Sequence, residues 1–395
     1  MGQTDTNPKT AFELPERQWE YLLDRLEKEE TILFIGPGLL PFPGADSVED
    51  ALFDYLQEKS QQEALPFISK FYRDDKFFML NERDKDESLW NFMSYYRDFF
   101  EEKKEDLAEA RALLAQVAKL PFSTIITLCP DALLEEAYGD QFAFHADFYN
   151  KKKKPQPYLP GRMDDPLIYY LRGRMTVDES MIISHSDLFD YLESIYEAKS
   201  MDADLKQTLK SAKYYIFLGL PLESWYMQLL LRLFDFHLLK PRILAMKHFQ
   251  EKDLSKRVVY EDLYNVNFHD HSGGAFLQEL FQRCEAKGMV KQATGNAVQA
   301  NFERDAEAFQ SLLRAGHHEQ SLANLEELSV KYLPQPAQYA SYFNTLTLGA
   351  SNYRSAHRNY NINLITYEQF KVEETRLVAF LNMQFEELKS LIHGQ

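Results

Sequence analysis

The sequence predicts an α/β protein: a parallel sheet interrupted by a helical insertion, followed by a small all-α C-terminal domain. Three observations point there. Short apolar runs stop at Gly- or Pro-containing turns and alternate with segments of helical spacing, the pattern of strand–helix–strand units with buried strands. Between about residues 60 and 119 the spacing is helical, with no clear strand. After about residue 288 every periodic segment is helical.

In chain order, Pro15–Glu30 reads as an amphipathic helix with Trp19, Leu22, Leu23 and Leu26 on one face. Thr31–Ile35 is a buried strand that stops at the turn Gly36-Pro37-Gly38. Asp46–Lys59 is helical. The insertion that follows is rich in aromatic residues, Phe67, Phe78, Trp90, Phe92 and Phe100 among them. Ser123–Leu128 is the next strand. Cys129-Pro130-Asp131 then opens a helix through Tyr138, with Pro at or near its first position. Lys151–Lys154 is a charge run in a Pro-rich loop. Leu167–Leu171 and Met181–Ser184 read as strands, parted by a turn near Arg172-Gly173. Tyr214–Leu218 is a strand ending at Gly219-Leu220-Pro221, and Glu223–Phe236 is a helix. Arg242–Lys247 and Asn265–His269 complete the strands. Gly288–Asn296 reads as a linker. Helices follow at Asn301–Ala315, His318–Tyr332, Pro336–Tyr360 and Tyr367–Leu391, the last started by the capping box Thr366-Tyr-Glu-Gln369. The predicted domains are 1–287 and 299–395.

Composition narrows the function. A net charge of −17 argues against broad phosphate-backbone binding, so no direct nucleic-acid partner is expected. No window approaches the roughly 18 uncharged apolar residues of a membrane span. Met1–Pro15 lacks a secretory apolar core, and a cytoplasmic protein is expected. Two cysteines, Cys129 and Cys284, exclude a disulfide framework and a zinc cluster, and no metal is expected. Aromatic residues reach 14%, an excess that fills a large core or a subunit interface. The core is the favoured use, and a homo-oligomer formed through the aromatic insertion is also expected.

Four segments stand at predicted strand ends, where α/β sheets bind ligands. They are Gly36-Pro37-Gly38, Thr127-Leu128-Cys129-Pro130-Asp131 running on to Glu135, Leu171-Arg172-Gly173, and Gly219 running into Trp225–Arg232. Each alone has a plain reading: a tight turn, a helix capped by Asp131 beside an inert buried Cys129, a solvent-facing loop, and a buried helix face.

Taken together and in this order, the four segments resemble the sirtuin-like domains of bacterial anti-phage defence proteins, which hydrolyse NAD. The likeness lies in Gly36 and Gly38, in Thr127, Asp131, Leu133, Leu134 and Glu135, in Leu171 and Gly173, and in Gly219, Leu230 and Arg232. It spans about Thr31 to Cys284 and implies a Rossmann-like sheet. It also implies NAD or ADP-ribose as ligand, bound at Gly36, Gly38, Thr127, Asp131 and Gly219. Two positions depart from the pattern. Cys129 stands where the family has the Asn that positions ribose and water, and Arg172 where it has the His that acts as general base. A guanidinium stays protonated and cannot take a proton. The small hydroxyl residue that follows the family's glycines is absent too, Leu39 and Leu40 taking its place. The resemblance therefore implies a catalytically degenerate module that binds a nucleotide or only scaffolds. The alternative is an active NAD hydrolase that depletes NAD on infection, with His145 or His185 as a replacement base.

The C-terminal segment Asn352–Phe370, with Glu373, Arg376 and Phe380 beyond it, is similar to the helical effector-associated domains of bacterial conflict systems. Asn363 stands where Gly is usual, and Asn tolerates the left-handed backbone such a helix end needs. That likeness implies an adaptor that pairs with a matching domain on a protein partner. The alternative is a plain helical hairpin.

Overall fold

The computed structural model of the chain describes residues 14–393 apart from 64–65, 82, 84, 140, 149–158, 197–202, 240, 294–296, 334–337 and 362–363. The charge run Lys151–Lys154 and the turn residue Asn363 lie outside the described residues. The chain divides into two compact units, Met1–Gly295 and Asn296–Gln395.

The first unit is α/β. Its elements are α1 (Glu16–Glu27), β1 (Thr31–Ile35), α2 (Val48–Gln62), β2 (Ile68–Tyr72), β3 (Phe77–Leu80), α3 (Lys85–Glu102), α4 (Ala108–Lys119), β4 (Thr124–Thr127), α5 (Leu133–Tyr138), β5 (His145–Phe148) and β6 (Leu167–Tyr170). There follow α6 (His185–Tyr196), α7 (Ala203–Ser211), β7 (Tyr214–Leu218), α8 (Trp225–Leu233), α9 (Phe236–Leu239), β8 (Arg242–Met246), α10 (Leu254–Tyr264), β9 (Val266–His269) and α11 (Gly273–Ala286). Seven strands form one sheet in the order β5-β6-β4-β1-β7-β8-β9, every pair parallel. Strands lie on both sides of β1, with β4, β6 and β5 on one and β7, β8 and β9 on the other, so a crevice beside β1 is where such a sheet places a ligand.

Every residue of β1, β4, β6 and β7 is buried, as continuous apolar runs demand. Alternate residues feed opposite faces. Leu33 and Ile35 join Ile125, Ile216 and Leu218 in one core, while Ile32 and Phe34 join Ile126, Tyr215 and Phe217 in the other.

Three expectations need correction. The segment expected to be wholly helical contains the β2–β3 hairpin, turned at Arg73–Lys76 with Lys76 left-handed at φ 57°. Asp74-Asp75 and the flanking aromatic residues favour a turn between strands over continued helix. Met181–Ser184 is a loop, though Met181, Ile182 and Ile183 are buried. Its hydrogen bonds run to two different elements, Ile182 N–H to the Arg172 carbonyl (3.1 Å) and the Ile183 carbonyl from Phe78 N–H (2.9 Å), so no ladder forms. The helix expected from Cys129 starts at Leu133, with Pro130 outside it. The edge strand β5, His145–Phe148, lacks the apolar run that marks the central strands.

The second unit comprises α12 (Ala297–Arg314), α13 (His318–Tyr332), α14 (Ala340–Asn361) and α15 (Tyr367–His393) around Phe309, Leu325, Leu346, Leu381 and Phe385. Thr366 and Gln369 form the capping box: Thr366 N–H donates to Gln369 Oε1 (2.8 Å) and Gln369 N–H to Thr366 Oγ1 (3.3 Å). Gly349 lets α14 lie against α15, since a Cβ there would come within 2.2 Å of the Phe380 ring. Among the described residues no helix is long and apolar enough to cross a membrane.

Candidate functional site

The four sequence segments follow β1, β4, β6 and β7, which are neighbours in the sheet. The fold therefore gathers them at one carboxyl edge. What they do there differs from what a phosphate cradle requires. The N–H of Gly36 donates to the Leu218 carbonyl (2.8 Å), that of Gly38 to Gly219 (2.9 Å), that of Leu39 to Gly36 (3.1 Å) and that of Leu40 to Pro37 (3.0 Å). Pro37 has no N–H. Anion sites of this kind use N–H groups that point at the ligand, and these all point inward. A Cβ on Gly36 would meet the Gly219 oxygen at 2.4 Å, and one on Gly219 (φ 66°) would meet the Leu39 nitrogen at 2.0 Å. The glycines let two turns pack backbone against backbone.

At the end of β4, Thr127 Oγ1 accepts from Cys129 N–H (3.0 Å) and Asp131 Oδ1 from Leu133 N–H (3.0 Å). Both residues serve the turn into α5. Burial, aided by the Asp131 and Glu49 carboxylates, pushes the Cys129 thiol well above its ordinary range. A thiol kept protonated is no nucleophile.

Burial also pushes Asp131 up to about 6, against the pull of the Leu133 N–H. A carboxyl whose folded pKa is raised stabilises while protonated, so its contribution is full below about pH 4 and lost as pH rises through about 6. Asp131→Asn, which keeps the acceptor for Leu133, is expected to stabilise the protein at neutral pH by on the order of 2 kcal/mol. It should have little effect near pH 4. Urea denaturation at the two pH values checks this.

At the end of β6, Arg172 is buried and donates through Nη1 to Glu49 Oε1 of α2 (2.6 Å). Its guanidinium lies over the Phe77 ring, 5.3 Å from the centroid. Burial opposes the charge, but Glu49 more than offsets it and the pKa is raised. Two residues on, Arg174 grips Glu135 with two parallel bonds (2.7 and 2.6 Å).

The two histidines stand at different places. His145 opens β5 opposite Leu167, at the amino end of the sheet, and its Nε2 lies 2.8 Å from the Leu159 carbonyl. His185 starts α6 with Nε2 at 3.1 Å from Asp75 Oδ2, and its ring meets Phe77 at 4.9 Å. The Phe77 ring is thus shared by His185 and Arg172.

The β2–β3 hairpin closes the edge from above. Phe77 belongs to one core and Phe78 to the other, so adjacent side chains pin the hairpin over both faces of the sheet. Ion pairs from Arg73 to Asp54 and from Lys76 to Asp50 tie its turn to α2. A cavity of about 40 Å³ remains, bounded by Leu40, Glu49, Phe78, Tyr96, Pro130 and Arg172 among others. That is room for a few water-sized groups. Among the described residues no group of three His, Cys, Asp or Glu side chains is placed to hold a metal ion.

Sequence reasoning found Arg172 and Cys129 but missed Glu49, Lys76 and Phe77. Glu49 stands 123 positions from Arg172, and no local pattern marks the pair.

Compared with models of known protein families, the chain matches none, and no curated protein matches it.

Proposed function

We propose that the chain is a pseudoenzyme of the sirtuin-like class, an α/β scaffold without NAD-hydrolase activity. In this reading its C-terminal helical unit is the adaptor that recruits a protein partner, within a bacterial anti-phage defence system. The observation that carries the first half is the Arg172–Glu49 pair at the place of the family's base. It fixes a permanent cation against a carboxylate, with the glycine turns closed and Cys129 held as a thiol. A general base typically contributes about 10²–10⁴ in rate, and neither the Arg172 guanidinium nor the protonated Cys129 thiol supplies one.

The adaptor half is supported by exposed apolar side chains at one end of the α14–α15 hairpin. Leu364, Tyr367 and Val372 lie outside the unit's core. Most aromatic residues of the insertion are buried, Phe67, Phe77, Phe92 and Phe99 among them. Self-association of the first unit has Trp90 and Met79 as its exposed apolar residues there.

Incubation of purified protein with NAD, followed by chromatography, is expected to yield no nicotinamide above a buffer control. Turnover that disappears in Arg172→Ala or Cys129→Ala would restore the hydrolase reading. Deleting residues 299–395 is expected to abolish capture of the partner encoded beside this chain. Capture that survives the deletion would remove the adaptor role.

A further inference from the structure

We propose that the cavity beneath the hairpin is a binding site for a short-chain monocarboxylate, received by Arg172 and gated by Glu49. This goes beyond the scaffold reading and does not depend on partner recruitment.

The argument starts from the guanidinium. Arg172 is 8% exposed, yet Glu49 engages it at a single nitrogen, Nη1. Its Nε is buried and has no hydrogen-bond partner. A buried donor left unmade costs free energy that a suitable acceptor would recover. The natural acceptor for the side of a guanidinium is a carboxylate, which takes two parallel N–H bonds. Arg172 lines the cavity, as do Leu52, Phe53, Phe78 and Phe92, so polar and apolar walls meet in one small space.

Size and charge then select the ligand. A volume of about 40 Å³ admits a short acid and excludes a nucleotide. A doubly charged phosphate would lose far more hydration in this largely apolar lining than Arg172 returns, since Lys76, the other cation on the wall, is already paired with Asp50. A monocarboxylate with a short alkyl tail fits both walls. Glu49 sets the affinity. Its side chain is 21% exposed at the rim, and its charge already neutralises Arg172. An incoming anion meets the Glu49 charge, with the Asp131 carboxyl on the same wall, so removing or withdrawing Glu49 lowers the repulsion.

The test is calorimetric titration of the full chain with sodium propionate, matched in ionic strength against sodium chloride. The natural chain should bind weakly and saturably, and Glu49→Gln, whose amide oxygen still accepts from Nη1, should bind at least tenfold more tightly. Arg172→Gln should abolish binding in either background. Propanol and inorganic phosphate should not bind. Should Glu49→Gln fail to fold, Glu49→Asp withdraws the carboxylate by one methylene while keeping the charge balance, and it should bind more tightly than the natural chain. Equal affinities in the natural chain and the folded Glu49 variants, binding that survives loss of Arg172, or no binding to any variant would each overturn the proposal.

Discussion

Phe77→Ala is expected to lower the unfolding free energy by about 3–5 kcal/mol, the cost of removing a fully buried phenyl ring from a site that cannot collapse. The site cannot collapse because its neighbours are fixed by other bonds. Tyr226 meets the ring at 5.7 Å from α8, His185 meets it at 4.9 Å while bound to Asp75, and Arg172 is held over it by Glu49. The loss adds a cation–π contact to the transfer and cavity costs. The neighbouring Met79→Ala is the control. It stands on the same strand, is 45% exposed, and should cost within about 0.5 kcal/mol. Urea denaturation at constant slope separates the two. A Phe77→Ala variant as stable as Met79→Ala would mean that the hairpin does not plug the sheet edge.

How much of this was legible follows from where each residue finds its partners. β1 is Thr31–Ile35 in sequence and in structure, because a strand buried on both faces is apolar throughout and Gly36 marks its end. The same holds for β7. The hairpin was hidden because Phe67, Phe71, Phe78 and Phe92 fit a helical stripe as well as two strand faces. The turn residues Asp74-Asp75 favour the strands, and the packing of Phe53 against Phe71 and Phe78 adds tertiary contacts that the sequence pattern does not show. Met181–Ser184 has strand composition, yet the partners of its hydrogen bonds lie on β3 and after β6, and composition does not encode that choice. β5 begins with a histidine and contains an aspartate, so it lacks the apolar run that reveals the central strands. At the candidate site, residue types were readable and their counter-ions were not. Arg172 announced a departure from a general base. That Glu49 neutralises it is a consequence of α2 crossing the sheet edge.

Arg172→Ala is expected to cost about 3–5 kcal/mol, because it strands the Glu49 carboxylate in a largely apolar setting. The pair itself need not be worth that much. Desolvating two ions consumes most of what their attraction returns, so an apolar replacement of both can be neutral. Arg172→Met with Glu49→Leu should therefore recover most of the stability lost in Arg172→Ala. The double-mutant cycle over the two positions should show a coupling of about 1–3 kcal/mol. The exposed Arg73–Asp54 pair provides the contrast. Both its side chains are more than half exposed, and breaking it should cost under about 1 kcal/mol, with that small cost fading in high salt. The Arg172 effect should persist at the same salt, since water and ions do not reach between Nη1 and Glu49 Oε1. An Arg172→Ala loss that is small and vanishes with salt would place Arg172 in solvent. It would then be free to meet a ligand without displacing any internal partner, and the closed edge described here would have to be abandoned.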